Sequence, residues 1–522
     1  YVYGFGVDAR HDRAAYVARY PIPDTTTYRS CLELLPLPTG AATQVVCDDA
    51  PAFGPVRFTW TGVSFSPDGV WAYVDGNLAS DRKRSQLLRV RLADGAMERL
   101  TDDAPRSTAG TVDEWLDADR YAYYEDAGGF TNLGIGTLST GARALITDLD
   151  VELKDVAVLH SGPESFLLTV VGRPWESELR LLNPAGEVLA KRALPDNLSL
   201  LHAHRNAAYF YVTSRSTKMK VVKVMVSQFG GFIVTPLFGL PPELEQRLDQ
   251  CVVERVQIPT FDTDPATGAP RLLHAYLSTP RTPPPQGEAQ LAGVVAFYGG
   301  GNHWDTQAEI LCEVGITTLS AAVRGSSGFG AEFYGLNDGD LGGDEIVDLQ
   351  RMASWLVEKR GFAPRDIGVY GGSHGGYATM RALTFPPATN GRGATFDWGW
   401  GVSFFGFSDI KTFWETCNIP DWVLLEAGDP KTEPDKIRER SPLFHVDLLD
   451  APILLLHGEN DQRVPVLESR QFAGACKEAG KNCTYIEFPG QGHGLNGIEN
   501  QVRVIREWFA FLEGARPLPA AP

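Results

Sequence analysis

A short segment around Ser373 places the tightest constraint on how this chain can fold. Ile367 to Tyr370 is an apolar run typical of a buried strand, and Tyr377 to Leu383 is typical of a helix. Between them stands Gly-Gly-Ser-His-Gly-Gly, so Ser373 lies in a Gly-x-Ser-x-Gly turn that joins the strand to the helix. Such a turn lifts the serine above the sheet on a strained backbone, and Gly371 and Gly375 remove Cβ atoms that would collide there. Ser373 is therefore a candidate nucleophile.

Strands and helices alternate on both sides of this turn, which is typical of a mostly parallel α/β sheet. The predicted elements are a hairpin at 256–280, strands at 294–297, 317–323, 367–370, 453–456 and 485–488, and helices at 344–360 and 501–512. The helix at 344–360 is expected because Ile346, Leu349 and Leu356 share one face and Gly361 follows the last turn. We therefore expect an α/β domain at 241–517, followed by a short tail at 518–522.

The first 240 residues follow a different pattern, of short strand-like runs separated by turn residues. Turn glycines recur at Gly40, Gly95, Gly141, Gly186 and Gly230, which gives intervals of 55, 46, 45 and 44 residues. This period fits one four-stranded propeller blade per repeat. We therefore expect an all-β propeller of about five blades at 1–240, with an irregular β-sandwich as the alternative.

The charge and the apolar pattern argue against two classes of partner. The chain has 47 Lys and Arg residues against 65 Asp and Glu residues, a net charge of −18, so we expect no nucleic-acid partner. It contains no run of 18 apolar residues, so we expect no membrane span. It also has no Cys-x-x-Cys pair and no motif for an organic cofactor, so neither a metal nor a cofactor is expected.

The seven cysteines bear on the compartment of the protein. Cys31 and Cys47 flank a turn, and Cys476 and Cys483 are also close enough in the sequence to pair. Unpaired thiols are the alternative for each pair. The pairing favours an exported or extracellular protein over a cytoplasmic one, and the absence of an initial methionine is consistent with removal of a leader segment.

A serine nucleophile needs a base, and the base needs an acid that orients it. Asp461 and His493 follow predicted strands in glycine-bearing loops, in the chain order Ser, Asp, His. Of the ten histidines, His493 is the only one after Asp461. Glu459 competes for the role of acid, but Asp461 lies farther past its strand. We predict that Ser373, His493 and Asp461 form a catalytic triad.

A tetrahedral intermediate at Ser373 would require hydrogen-bond donors for its oxyanion. The backbone N–H of His374 is one candidate, because it follows the nucleophile. The second donor is expected from the Tyr-Gly-Gly-Gly turn after the strand at 294–297, either as a backbone N–H or as the Tyr298 hydroxyl. Simple packing of Tyr298 against the end of the strand is the alternative.

Four segments together resemble the prolyl oligopeptidase family of serine peptidases. They are Gly-Gly-Ser-His-Gly-Gly-Tyr at 371–377, Tyr-Gly-Gly at 298–300, Val-Arg-Gly-Ser-Ser-Gly-Phe-Gly at 323–330 and His-Gly-Glu-Asn-Asp-Gln-Arg-Val-Pro at 457–465. The resemblance covers about 256–512, and before residue 240 it rests only on the propeller pattern. It implies an α/β-hydrolase domain with a propeller that shields the active site and excludes large substrates. It also implies that Ser373, Asp461 and His493 are the triad, and that Tyr298 and His374 hold the oxyanion.

The same resemblance implies several substrate-binding residues. Arg463 would reach a substrate carbonyl, with a salt bridge as the alternative. The pocket for the residue before the cleaved bond would be lined by Phe404, Phe405, Phe407, Phe413, Trp414 and Val464, although such rings could equally belong to the core. Members that remove dipeptides hold the substrate ammonium with paired acids on the propeller; Glu114, which follows Asp113, is the nearest candidate, and a chance pair is the alternative.

The sequence thus predicts a serine hydrolase that cleaves short peptides through an acyl-enzyme intermediate, without a cofactor. One alternative is an esterase or amidase that acts on a small metabolite, because a triad alone does not define the acyl substrate. The other is a catalytically inactive propeller protein that binds a partner, against which the intact Ser, Asp, His and Tyr298 argue. The sequence is compatible with an oligomer.

Overall fold

The computed structural model describes residues 2–23, 28–59, 62–78, 81–101, 111–227, 231–282, 290–297 and 299–515. The tail predicted at 518–522 lies outside these ranges. The chain divides into two compact units. Unit 1 contains Tyr1–Leu240 and Ser327–Glu332, and unit 2 contains Pro241–Ser326 and Phe333–Pro522.

Unit 1 is built from antiparallel sheets whose strands are consecutive in the chain. In its described residues there are five: sheet 1 has β1 (Val2–Asp8), β2 (Arg13–Pro21), β3 (Tyr28–Pro36) and β4 (Thr43–Cys47); sheet 2 has β5 (Val56–Phe58), β6 (Ser64–Phe65), β7 (Trp71–Leu78), β8 (Asp81–Arg91) and β9 (Met97–Arg99); sheet 3 has β10 (Thr111–Trp115), β11 (Arg120–Ala127), β12 (Phe130–Thr137) and β13 (Arg143–Leu145); sheet 4 has β14 (Glu152–Ser161), β15 (Glu164–Gly172), β16 (Ser177–Leu182) and β17 (Val188–Leu194); sheet 5 has β18 (Asn197–His204), β19 (Ala207–Thr213), β20 (Lys220–Val226) and β21 (Phe232–Gly239).

The recurring glycines lie between the last two strands of successive sheets. Gly95, Gly141 and Gly186 adopt left-handed turns with φ of 71°, 69° and 88°, a conformation that glycine adopts without steric cost. Gly40 connects β3 with β4, and Gly230, between β20 and β21, lies outside the described residues. The prediction that each repeat corresponds to one sheet is therefore confirmed for the described turns.

The sheets of unit 1 share apolar cores because alternate side chains of a strand point to opposite faces. In β14, Val156 and Val158 pack with apolar residues of sheet 3, whereas Ala157 and Leu159 pack with those of sheet 5. Other clusters join sheet 1 to sheet 2 and sheet 2 to sheet 3. Successive sheets are thus stacked face to face, which is the packing of propeller blades.

Unit 2 contains one eight-stranded sheet with the order β22-β23-β25-β24-β26-β27-β28-β29. The strands are β22 (Cys251–Thr263), β23 (Pro270–Pro280), β24 (Ala292–Val295), β25 (Thr317–Ala321), β26 (Ile367–Gly372), β27 (Trp400–Phe404), β28 (Ile453–Gly458) and β29 (Cys483–Phe488). The hairpin β22–β23 is antiparallel, β23 pairs antiparallel with β25, and the remaining pairs are parallel. The predicted mostly parallel sheet is confirmed.

Helices connect and cover these strands. The described helices are α1 (Pro242–Arg247), α2 (Thr306–Glu313), α3 (Ala331–Tyr334), α4 (Asp344–Arg360), α5 (His374–Leu383), α6 (Ile410–Thr416), α7 (Pro420–Glu426), α8 (Pro434–Arg440), α9 (Leu467–Glu478) and α10 (Ile498–Ala515). Gly361 ends α4 in the left-handed conformation, as the sequence predicts. None of the helices in the described ranges combines the length and the apolarity that a bilayer crossing requires.

Three disulfides cross-link six of the described cysteines, and Cys417 is free. Two of them, Cys31–Cys47 and Cys476–Cys483, are the pairs singled out from the sequence. The third joins Cys251 on β22 to Cys312 on α2, across 61 residues. Sequence proximity gives no indication of this third pair, because only the packing of α2 beside β22 brings the two sulfurs together.

A buried arginine organises the interior of unit 2. Arg324 donates from Nε and Nη2 to the two carboxylate oxygens of Asp348, each at 2.9 Å. Its Nη2 also donates to Asp262 at 3.2 Å, and its guanidinium lies 4.3 Å from the ring of Phe261. The Asp348 side chain has no exposed surface, so its charge depends on Arg324 for compensation.

Replacing Arg324 by methionine is expected to lower the free energy of unfolding by about 3–5 kcal/mol, because Asp348 would remain buried without its partner. Equilibrium urea unfolding measures the loss. The double variant Arg324→Met/Asp348→Leu removes both charges and should regain most of the stability. An equal loss in the single and the double variant would contradict this explanation.

Candidate active site

The candidate nucleophile lies where β26 meets α5. Ser373 has φ 58° and ψ −116°, an unfavourable conformation for a residue with a Cβ atom. Its N–H donates to the carbonyl of Phe404 at 2.9 Å, and its carbonyl accepts from Tyr377 N–H at 3.0 Å. These bonds hold the strained residue between a neighbouring strand and the first turn of the helix, with its side chain partly exposed.

Two glycines make this turn possible. A Cβ atom at Gly371 would lie 2.9 Å from the backbone of Gly375, and one at Gly376 would lie 2.7 Å from the carbonyl oxygen of Phe404. A Cβ atom at Gly375 would make only ordinary contacts, the nearest at 3.5 Å. The expectation that a Cβ atom would collide is therefore confirmed for Gly371 and wrong for Gly375. The second position at which a Cβ atom would collide is Gly376.

The structure brings together the three residues of the predicted triad. The hydroxyl of Ser373 is 3.1 Å from His493 Nε2, to which it can donate. His493 Nδ1–H donates to Asp461 Oδ2 at 2.7 Å. Each residue follows the carboxyl end of a parallel strand: Ser373 follows β26, Asp461 follows β28 and His493 follows β29. This chain of hydrogen bonds is the arrangement that activates a serine hydroxyl.

The carboxylate of Asp461 is held on both oxygens. Its Oδ1 accepts backbone N–H groups from Arg463 at 2.8 Å and Val464 at 3.0 Å, and its Oδ2 accepts from His493. Burial by itself raises the pKa of Asp461, but the hydrogen bonds from His457 and His493 outweigh it and lower the pKa to about 2. The acid is therefore ionised at neutral pH and fixed in orientation.

His457 supports this loop, and sequence reasoning missed it. Its Nε2–H donates to the carbonyl of Val464 at 2.8 Å and lies 3.5 Å from Asp461 Oδ2, while its Nδ1 accepts from the Ser469 hydroxyl at 2.7 Å. The imidazole is fully buried. A histidine directly before the predicted loop, in the segment that carries the family resemblance, was the available signal.

Glu459, the competing acid, has another partner. Its carboxylate accepts the N–H of Gly490 at 2.9 Å. The backbone of Asn460 donates to Gln491 O at 2.8 Å, so the loop after β28 is joined to the loop after β29. These contacts leave Asp461 as the carboxylate that His493 contacts.

The aromatic residues predicted to line a pocket occupy different environments. The ring of Phe405 lies 4.6 Å from that of His493, and it is only partly buried. Phe407 instead stacks between Tyr377 and Phe413, at 4.3 Å from each, and both Phe407 and Phe413 are 1% exposed.

Three more members of the predicted pocket have little exposed surface: Phe404, Trp414 and Val464. Of the predicted pocket rings, Phe405 thus lies beside His493 with exposed surface, whereas Phe407 and Phe413 belong to the core.

The side chain after the nucleophile also has a defined environment. His374 Nε2 lies 3.1 Å from Glu345 Oε2, and both side chains are buried. The imidazole also contacts the ring of Phe297 at 3.9 Å and that of Trp422 at 5.3 Å. Trp422 was not predicted, because nothing local in the sequence indicates that α7 packs near the nucleophile.

Two predicted site residues fall outside the part of the chain that the structure describes. Tyr298 lies outside the described residues, and the side chain of Glu114 lies outside them as well, although the backbone of β10 is described. The side chain of Arg463 is partly buried. In the described residues, no group of three or more His, Cys, Asp or Glu side chains is arranged to hold a metal ion.

Residues 302–516 match the family model described as the prolyl oligopeptidase family. This part of the chain is a prolyl oligopeptidase family domain. It contains the strand–turn–helix of Ser373 and the loops of Asp461 and His493. The chain is 27% identical over 441 residues to dipeptidyl aminopeptidase BIII of Pseudoxanthomonas mexicana, which covers 78% of this chain and 60% of the relative. It is 25% identical over 305 residues to an acylamino-acid-releasing enzyme of Rattus norvegicus, and the match covers 53% of this chain and 40% of that enzyme.

Solved structures extend the similarity beyond the prolyl oligopeptidase domain. A puromycin-hydrolysing peptidase of Mycobacterium tuberculosis superposes with a TM-score of 0.81 at 20% identity, covering 98% of this chain and 79% of that one. A puromycin hydrolase superposes with the same TM-score at 21% identity, and the match covers 98% of this chain and 78% of that one. At these identities the likeness concerns the fold, a propeller with a hydrolase domain. The chain spans 60% or less of the curated relatives named above.

Proposed function

We propose that this chain is a serine peptidase that cleaves short peptides through an acyl-enzyme intermediate. The observation that carries the proposal is the chain of hydrogen bonds from Ser373 through His493 to Asp461, at 3.1 and 2.7 Å. The relatives named as a dipeptidyl aminopeptidase and an acylamino-acid-releasing enzyme support peptides as the substrate class.

In the proposed mechanism, Ser373 Oγ attacks the scissile carbonyl while its proton passes to His493 Nε2. The oxyanion receives hydrogen bonds from the His374 backbone N–H and the Tyr298 hydroxyl. His493 returns the proton to the leaving amine, and the C–N bond breaks to leave the acyl-enzyme. Water then attacks the ester carbonyl while its proton passes to His493 Nε2; the C–O bond to Ser373 breaks to release the acid, and the imidazolium returns the proton to Ser373 Oγ. Asp461 remains ionised throughout and fixes the imidazole tautomer.

An amidase or esterase that acts on a small metabolite is the second candidate. The specific observation in its favour is the structural likeness to two proteins named for the hydrolysis of puromycin. The triad serves either substrate class, because the chemistry at the acyl carbon is the same.

A substrate panel distinguishes the candidates. It holds a free dipeptide anilide, its N-blocked counterpart, puromycin, a simple acyl ester and denatured casein, each with wild type and Ser373→Ala. We expect turnover of at least one anilide that depends on Ser373, and no degradation of casein. Turnover of the free dipeptide alone would indicate an acidic anchor such as Glu114. Cleavage of puromycin or the ester without either anilide would refute the peptidase proposal and favour the second candidate.

We further propose that the five sheets of unit 1 are five blades of a closed propeller that restricts access by large substrates. The support is a cavity in unit 1 to which residues of all five sheets contribute, including Val7 of sheet 1 and His204 of sheet 5. A crystal structure in which sheets 1 and 5 did not both border this cavity would contradict closure.

The disulfides support an exported protein, because such bonds persist in oxidising compartments. The pair Cys251–Cys312 closes the longest loop of the three, with a separation of 61 residues. Replacing both cysteines by alanine is expected to lower the free energy of unfolding by about 4 kcal/mol. Urea unfolding of this variant and of Cys417→Ala, the buried free cysteine, provides the comparison. Free thiols at all six paired positions in the purified protein would contradict an oxidising compartment.

A further inference from the structure

Unit 1 contains a cavity of about 840 Å³ that the proposed chemistry does not use. Each of the five sheets contributes to its lining, and the residues important here are Val7, Phe65, Trp115, Asp117, His160 and Arg205. Apart from Phe65, which belongs to β6 of sheet 2, they lie close to where the first strands of their sheets end. A cavity of this size is large enough for a small molecule, and its lining combines apolar with polar and charged side chains.

Arg205 has an unusual backbone conformation for its side chain. It follows β18 in a two-residue turn to β19, where His204 pairs with Ala207, and its φ is 54°. Such turns favour glycine, asparagine or aspartate, and a larger side chain there costs about 1 kcal/mol. Strained backbone conformations are frequent at binding sites, which makes the Arg205 side chain a candidate for ligand contact.

The backbone of Arg205 is fixed, and its side chain is exposed to solvent at the cavity. Its carbonyl accepts the N–H of His160 at 2.7 Å, which ties the turn to sheet 4. Among the described residues, its guanidinium makes no hydrogen bond or ion pair. A guanidinium can donate two parallel hydrogen bonds to a carboxylate in a bidentate arrangement.

The two acids that line the cavity are already occupied. Asp8 accepts from Arg13 Nε at 3.0 Å, and Asp117 accepts from Arg120 Nε at 2.7 Å. Both also accept backbone N–H groups of their own turns. Neither compensates Arg205, so the cavity presents an available positive charge.

The remaining lining residues suit a peptide. The hydroxyl of Ser165 donates to Leu116 O at 2.6 Å, so it accepts from His160 Nδ1–H at 3.1 Å. This tautomer leaves His160 Nε2 as an acceptor for an N–H group. The indole of Trp115 packs against Tyr73 and Tyr121, each at 5.4 Å, and forms a rigid apolar wall.

We propose that this cavity binds the C-terminal carboxylate of a short peptide with an apolar last residue. Arg205 binds the carboxylate, His160 Nε2 accepts a peptide N–H, and the last side chain packs against Trp115. The choice of a peptide as ligand rests on the proposed function, whereas the choice of a carboxylate rests on Arg205.

The test measures binding with the Ser373→Ala chain, so that peptides are not consumed. Calorimetric titration compares N-acetyl-Gly-Phe as the free acid with its C-terminal amide. We expect the acid to bind at least about tenfold more tightly, the contribution of one charge-assisted pair. Adding Arg205→Gly should abolish this preference, and Arg205→Lys should keep part of it. Arg192→Ala, which removes an exposed arginine that does not line the cavity, should leave it unchanged.

The variant Arg205→Gly also separates binding from stability. Glycine adopts φ 54° without strain, so the melting temperature should stay the same or rise while the preference is lost. Equal affinity for acid and amide, or a preference that survives Arg205→Gly, would overturn the proposal. Inorganic phosphate that displaces the acid at comparable concentration would overturn the peptide assignment. If the wild type cleaves peptides but the acid and the amide bind equally, only this site is refuted. If the acid binds more tightly but no peptide is cleaved, only the proposed function is refuted.

Discussion

Replacing Ser373 by alanine is expected to lower kcat/KM for a peptide anilide by roughly 10⁴- to 10⁶-fold. The variant has no oxygen that can be acylated, and any residual rate comes from binding and from the oxyanion donors. The hydroxyl contacts His493 and is partly exposed, so its loss leaves the core intact. Ser354→Ala provides the matched control, because that hydroxyl only donates to Gln350 O within α4. A Ser373→Ala enzyme that kept more than about one-hundredth of the activity would contradict the assignment of the nucleophile.

Replacing Asp461 by asparagine is expected to lower kcat by about 10⁴-fold with little change in KM, because the imidazole would lose its tautomer and its counter-charge. Glu459→Gln is the matched control and should change kcat less than about threefold, since that carboxylate bonds Gly490 N–H rather than His493. The double variant Ser373→Ala/Asp461→Asn should be no slower than Ser373→Ala. A larger loss in Glu459→Gln than in Asp461→Asn would contradict the assignment of the acid.

The carboxylate of Asp461 also makes the stability of the fold depend on pH. Its pKa is lowered from 3.8 to about 2 on folding, so its contribution is fully present above pH 4 and is lost as the pH falls toward 2. The contribution is about 2 kcal/mol. When the pH is lowered from 5 to 2, the free energy of unfolding, measured with urea, should fall by about 2 kcal/mol more in wild type than in Asp461→Asn. Parallel pH profiles for the two proteins would contradict the lowered pKa.

The proximity of Ser373, Asp461 and His493 could be predicted because it depends on local patterns in the sequence. Each residue follows a short run typical of a strand, and the carboxyl ends of parallel strands face the same edge of a sheet. The glycine repeat of unit 1 was informative for a similar reason, since a left-handed turn at Gly95 or Gly141 is a local requirement.

The features that were missed depend on how side chains pack in the folded chain, which no local sequence pattern specifies. His457 supports Asp461 only because its ring reaches the carbonyl of Val464, seven residues later, and the hydroxyl of Ser469. The Cys251–Cys312 pair depends on where α2 packs. Composition alone also could not separate Phe407, which lies in the core, from Phe405, which contacts His493. Aromatic rings serve a core and a pocket equally well, so only packing distinguishes them.

Labelling with a fluorophosphonate probe, followed by peptide mass spectrometry, tests the central claim most directly. The probe reacts with a serine only when a positioned base activates the hydroxyl. We predict one modification per chain, located on Ser373, absent in Ser373→Ala and strongly slowed in Asp461→Asn. An unmodified wild-type chain, or modification of another serine that persists in Ser373→Ala, would contradict the proposed serine hydrolase.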